Sequence, residues 1–155
     1  LTYRITGLSP DPFRHLYGLD EADLGIHGAI RMRVDESPGF PDRITLREIP
    51  VGENALLLNH VSLDARSPYR ATHAIFVWEG ATDRYDEVGR VPEVLRRRLL
   101  SLRAFDAAGM MQVADVVEGT EIESVVERMF ANAAVHTIHA HNAKQGCFAA
   151  RIHRT

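Results

Sequence analysis

Residues 100–131 read LSLRAFDAAGMMQVADVVEGTEIESVVERMFA, and two different periodicities succeed one another within them. Leu100–Phe105 and Met110–Val117 flank Asp106-Ala107-Ala108-Gly109, the pattern of a β-hairpin whose short loop closes on a left-handed glycine. In that register Phe105 faces Met111 and Arg103 faces Val113, with Asp115 the diagonal partner for Arg103. From Thr120 the period changes. Ile122, Val125, Val126, Met129 and Phe130 fall at i, i+3, i+4, i+7 and i+8, the apolar stripe of a core-facing helix. Thr120 with Glu123 has the spacing of a capping box at its start. A hairpin followed by a one-sided helix buries both apolar surfaces only if the helix lies on the sheet.

Working outward, Val135–His141 and Cys147–His153 form a second hairpin. Upstream, Tyr3–Thr6, Ile30–Val34, Ile44–Ile49, Ala55–His60 and Thr72–Trp78 read as strands, the second and third separated by the breaker cluster Ser37-Pro38-Gly39-Phe40-Pro41. Asp11-Pro12 caps a single helical turn, and Asp20 with Asp23 starts a short helix that Gly25 and Gly28 keep brief. Pro92 opens another helix through about Leu99, with Arg96, Arg97 and Arg98 at the end where cations suit the helix dipole. The expected architecture is α+β: a mainly antiparallel, curved sheet of about eight or nine strands, one packed amphipathic helix near the C-terminus and short N-terminal helical turns.

Composition narrows the function classes. With 155 residues, 45% apolar and 25% charged, the chain has the make-up of an ordinary globular domain, and no repeat or linker divides residues 1–155. A net charge of −3 with both signs interspersed lacks the basic surface that phosphate backbones require, so no nucleic-acid partner is expected. No apolar run approaches the ~20 residues that span a bilayer, and Leu1–Leu8 contains Arg4 rather than an apolar signal core. The lone Cys147 has no partner for an internal disulfide and suits a reducing compartment, so a soluble cytoplasmic protein is expected. No glycine-rich phosphate loop, Gly-x-Ser-x-Gly elbow or zinc-type cysteine pair names a cofactor.

Chemistry concentrates on the last hairpin. Side chains two apart share a strand face, so Thr137, His139 and His141 project together, as do Cys147, Ala149, Arg151 and His153. Ile138 and Ala140, with Phe148, Ala150 and Ile152, take the opposite, core-facing side. The register that satisfies both sets places His141 opposite Cys147, His139 opposite Ala149 and Thr137 opposite Arg151, around the loop Asn142–Gly146.

Three functional readings follow, and an ordinary structural one stands beside them. Cys147 is a nucleophile activated by His141 and His139, with Asn142, Arg103 and Arg151 binding the anionic group of a small ligand. Alternatively His139 and His141 chelate a metal, with Cys147 as third ligand and His60 or His73 completing the set. In the third reading the same patch binds a small anion without transforming it. Pro68-Tyr69, between His60 and His73, adds Tyr69 as a pocket wall or lid. The structural reading makes the chain a non-catalytic or protein-interaction domain, its histidines individually satisfied and its cysteine a small buried apolar group. His60-Val61-Ser62-Leu63 lacks the second copy that a two-histidine phosphoesterase needs, and His139-x-His141 lacks the glutamate of a cupin.

The run LSLRAFDAAGMMQVADVVEG, residues 100–119, followed by IHAHNAKQGCFAARIHR, residues 138–154, resembles a bacterial family known as domain of unknown function 1203. LLLNHVSLDARSPYRATHAIFVWEG, residues 56–80, is similar to the same family, so the resemblance spans most of the chain. It implies no activity, cofactor or residue role; the site assignments rest on the shared strand face alone.

Overall fold

The structure is a computed structural model describing residues 2–155. In chain order it contains β1 (Tyr3–Thr6), a 3-10 turn (Arg14–Leu16), α1 (Glu21–Ile26), β2 (Ile30–Arg33), β3 (Asn54–Leu63), β4 (Ala71–Trp78) and β5 (Asp86–Val88). Then follow α2 (Glu93–Arg96), β6 (Leu99–Phe105), β7 (Met111–Glu118), a 3-10 turn (Gly119–Glu121), α3 (Ile122–Phe130), β8 (Thr137–Asn142) and β9 (Phe148–Arg154). The fold is α+β. Its strands divide into a six-stranded sheet, β5-β1-β9-β8-β6-β7, and a three-stranded sheet, β2-β3-β4, with every pairing antiparallel.

The helical stripe behaves as its spacing requires: Ile122, Val125, Val126, Met129 and Phe130 are all buried against one face of the large sheet. That face carries Leu100, Leu102, Ala104, Ile138, Ala140, Ala150, Ile152 and Ile5, aligned by the ladders of β6, β8, β9 and β1. Its opposite face is turned toward the small sheet. Leu56, Leu58, Ile75 and Val77 of β3 and β4 line the space between, together with Phe148, Ile44 and Leu24.

Several local expectations are corrected. Ile44–Ile49 is a tight irregular segment rather than a strand, with Leu46 at a positive φ of 52°. The reason is that its apolar residues serve three separate cores: Leu46 packs under α3, Ile44 between the sheets, and Ile49 against Phe40 and Val34. No single strand face could do that. The helical turn expected after Asp11-Pro12 is present as a 3-10 turn, but it starts from Phe13 without a side-chain cap rather than from Asp11. The helix after Pro92 stops at Arg96, because Leu99 already belongs to β6. The capping box does not form; Gly119–Glu121 is a 3-10 turn, and Glu123 instead pairs with Arg96 at 2.6 Å.

The β6–β7 register also shifts. Phe105 pairs with Met111 as expected, but a bulge places Arg103 opposite Ala114 and Ala104 opposite Val113. Arg103 and Asp115 are therefore not partners: Asp115 pairs with Arg128 of α3, and Arg103 Nε donates to Ser101 Oγ at 3.2 Å. Sequence reading also missed β5, a three-residue edge strand held only by β1.

Candidate functional site

The terminal hairpin does not keep the expected register. His139 pairs with Arg151, Ala140 with Ala150, and then a bulge brings His141 opposite Phe148. The pairing of His141 with Cys147, His139 with Ala149 and Thr137 with Arg151 is thus corrected by two residues and one bulge. The loop tightens to match: Asn142 N–H donates to Cys147 O at 2.9 Å, and Gly146 N–H to Asn142 O at 2.7 Å, with Gly146 at φ 78°. Packing explains the bulge. It sends the small Ala149 to the crowded side under α3 and turns the large Phe148 into the gap between the sheets.

The face between the sheets carries two side-chain rows. Arg103, His139, Arg151 and Thr6 align across β6, β8, β9 and β1; Ser101, His141 and Phe148 form the next row. His60 and His73, direct partners on β3 and β4, approach from the opposite sheet. The His73 and His141 rings meet edge-on at 4.7 Å, and Phe148 lies 5.9 Å from both His60 and His141 and 5.3 Å from His139. Three histidines from two sheets therefore surround one phenylalanine, and the fourth, His73, packs on His141.

Their surroundings keep them neutral. Burial, reinforced by Arg151, holds His139 down to about 3. Burial also lowers His141 to about 4 against the opposing hydrogen bond it donates to Gly146 O, and lowers His60 to about 4 with help from Arg151 and Arg43. His73 is lowered by burial and by Arg103. Hydrogen bonds then assign tautomers. Gly146 O can only accept, so His141 Nδ1 carries the proton at 2.9 Å. Ser62 Oγ donates to Ala71 O, so it accepts from His73 Nδ1 at 2.8 Å. Both imidazoles are left with an acceptor Nε2. His60 Nε2 is buried without a partner.

Cys147 lies just outside this cluster, in the loop. Its sulfur accepts from Arg43 Nη2 at 3.1 Å and from Asn142 Nδ2 at 3.5 Å. Arg43 is 2% exposed and is locked in place by donating to Phe148 O at 2.8 Å and Pro41 O at 2.6 Å. The neighbouring Asp42 is fully buried, but its carboxylate is taken by Thr45 N, Thr45 Oγ1 and Trp78 N. Among the described residues Arg43, Arg103 and Arg151 form no ion pair with a carboxylate. Burial pushes Arg43 below the ordinary guanidinium range, yet guanidinium does not give up its proton in proteins. A buried cation with no direct carboxylate contact, though Asp42 acts on it through space, thus sits behind a half-buried sulfur. Both open into a pocket of about 250 Å³ at the edge of β4, walled by Leu57, Ala74, Ile75 and Phe76, with His73 and Gln145 at its side.

The expected site residues therefore separate into two groups. His60, His73, His139, His141, Arg103 and Arg151 converge between the sheets, whereas Cys147 lines the pocket behind the loop, with Asn142 buried next to its sulfur. His73 touches both. His141 spends its Nδ1 on Gly146 and makes no hydrogen bond to Cys147. Tyr69 is peripheral, edge-on to Phe105 at 6.3 Å. The His139 and His141 rings lie 6.5 Å apart and nearly parallel. Among the described residues no three His, Cys, Asp or Glu side chains are grouped to hold a metal. Arg43 escaped the sequence reading. Its only signal was a charge inside the apolar run FPDRITL, residues 40–46, which reads equally well as a strand boundary.

Fold and site together define a two-sheet α+β protein with a thiol–guanidinium pocket. The chain belongs to the family described as Protein of unknown function (DUF1203), whose model matches residues 39–154. No curated protein and no solved structure matches it. The matched segment includes Arg43, all four clustered histidines and Cys147. β1, an interior strand of the large sheet, lies outside it. No helix among the described residues is long and apolar enough to cross a membrane.

Proposed function

We propose that this protein binds a small anionic molecule in the pocket beside β4 and that the Cys147 sulfur is the group the ligand meets. One observation carries this reading: Arg43 is buried, has no carboxylate partner and donates directly to Cys147 Sγ. A buried charge with no directly contacting counter-ion is costly; Asp42 offsets part of that cost through space, and an anion entering the pocket relieves more of it. Arg103 and Arg151, also without carboxylates, add positive potential from the neighbouring face. The apolar walls suit a ligand with a short hydrocarbon or aromatic part. Where a reaction follows binding, Cys147 is the nucleophile, and His73, with its free acceptor nitrogen, is a base lining the same pocket. A free, half-buried thiol fits a reducing, cytoplasmic setting.

A structural reading has support of its own for part of the cluster. His139 and His141 are 3% and 2% exposed and pack edge-on against Phe148. Their role is to fill the space between the sheets.

The test is competitive alkylation of the native protein with iodoacetate and iodoacetamide. A free thiol prefers the neutral reagent. Faster labelling of Cys147 by iodoacetate, with the preference fading as salt rises, is the expected result. Preference for iodoacetamide at low salt refutes the reading.

A further inference from the structure

The surroundings of Cys147 point to a specific covalent chemistry. Two N–H donors, one from a buried guanidinium, converge on a sulfur that remains open to the pocket. Charged donors of this kind stabilise negative charge that develops on an acceptor during reaction, and the thiolate is the reactive form of cysteine. Beside it, Asn142 is 4% exposed, its Nδ2 points at the sulfur, and its Oδ1 is buried with no donor. Buried amide oxygens rarely go unpaired. An O–H formed on the neighbouring sulfur would bring a new donor beside this amide. The chain contains no other cysteine, so an oxidised sulfur has no internal thiol with which to condense.

We propose that Cys147 is a single-cysteine redox site that reacts with a small hydroperoxide to give a sulfenic acid held by Arg43 and Asn142. The thiolate attacks the distal peroxide oxygen, the S–O bond forms as the O–O bond breaks, and the departing alkoxide or hydroxide takes a proton from solvent to leave as alcohol or water. The sulfur is oxidised and the peroxide reduced. A second, small-molecule thiol restores the cysteine in two exchanges: the first releases water and gives a mixed disulfide, and a further thiol then displaces Cys147. This step rests on the same pocket as the proposed function but does not require an anionic ligand.

The experiment compares the rate at which native and urea-unfolded protein lose their thiol to hydrogen peroxide, with dimedone trapping and peptide mass mapping. The expected result is a native rate roughly tenfold or more above the unfolded one, a dimedone adduct on Cys147, and none in Cys147→Ser. A folded Arg43→Lys variant should lose most of that acceleration, because a lysine retains the charge without the guanidinium geometry. Equal native and unfolded rates, or a native thiol that resists peroxide, overturn the proposal whatever the variants do. Iodoacetate preference together with slow peroxide oxidation removes the redox step and leaves the anion pocket standing. The reverse pattern removes the anion and keeps the redox site.

Discussion

The imidazole rings of His73 and His141 meet edge-on with centroids 4.7 Å apart, one contributed by each sheet. With His60 and His139 they place neutral, titratable groups where the two sheets join, and this has a consequence for acid stability. The unfolded chain takes up a proton on each histidine near 6.5, whereas folded His139 does so only near 3 and His141 only near 4. Below 6.5 the unfolded state therefore binds more protons, and stability falls as the pH falls toward those values. Each fully mismatched histidine adds about 1.4 kcal/mol per pH unit to that slope. Urea midpoints measured from pH 7 to pH 4.5 should decline steeply, and His139→Leu should flatten the decline by about one proton. A midpoint that stays level across this range contradicts the account.

Phe148 is 1% exposed and touches three histidine rings and the Arg151 guanidinium. Truncating it empties the centre of the space between the sheets. Phe148→Ala should cost about 3–5 kcal/mol in chemical denaturation. A cost below about 1 kcal/mol would mean that the sheets close over the gap or that Phe148 lies elsewhere.

Asp42 receives three hydrogen bonds, from Thr45 N, Thr45 Oγ1 and Trp78 N, and thereby sets the turn from which Arg43 reaches Cys147. Asp42→Ala leaves those donors unmatched and should destabilise by roughly 3 kcal/mol. If the variant remains folded, loosening of Arg43 should also weaken the iodoacetate preference. An unchanged preference would uncouple the turn from the pocket.

Gly119 packs directly on α2: a Cβ there would lie 1.8 Å from Leu95 O, and its N–H bonds Arg98 O at 2.9 Å. Gly119→Ala should force the two segments apart and lower stability by roughly 2 kcal/mol or more. Gly25, inside α1 with open space around it, is the matched control. Gly25→Ala should stabilise by about 0.5–1 kcal/mol. Thermal melts of the pair give opposite signs if the packing is as described.

Much of the architecture was readable because its signals are local. The Ile122–Phe130 stripe states its period within nine residues, and every stripe position is buried. Asp20 accepts from Asp23 N at 2.8 Å, as an N-cap should. Ile44–Ile49 was misread because apolar content says that residues are buried, not that they share a face. Ile44, Leu46 and Ile49 are each buried, yet in three different cores.

For the candidate site the division is sharper. Strand alternation with the hairpin pairing placed His139 and Arg151 on one face, and they do form one row; that Arg103 joins it was set by the β6–β8 pairing in the tertiary structure. Alternation determines parity but not register, since a shift of two residues preserves every face assignment. The shift and the bulge at Ala149 were decided by volume, with Phe148 filling one side and Ala149 the other. Only tertiary structure brought His60 and His73 to that row, and only it set Arg43 against Cys147 across 104 residues of chain. The physical reason is that periodicity is written in neighbouring residues, whereas the meeting of two sheets depends on how all their side chains share a common space.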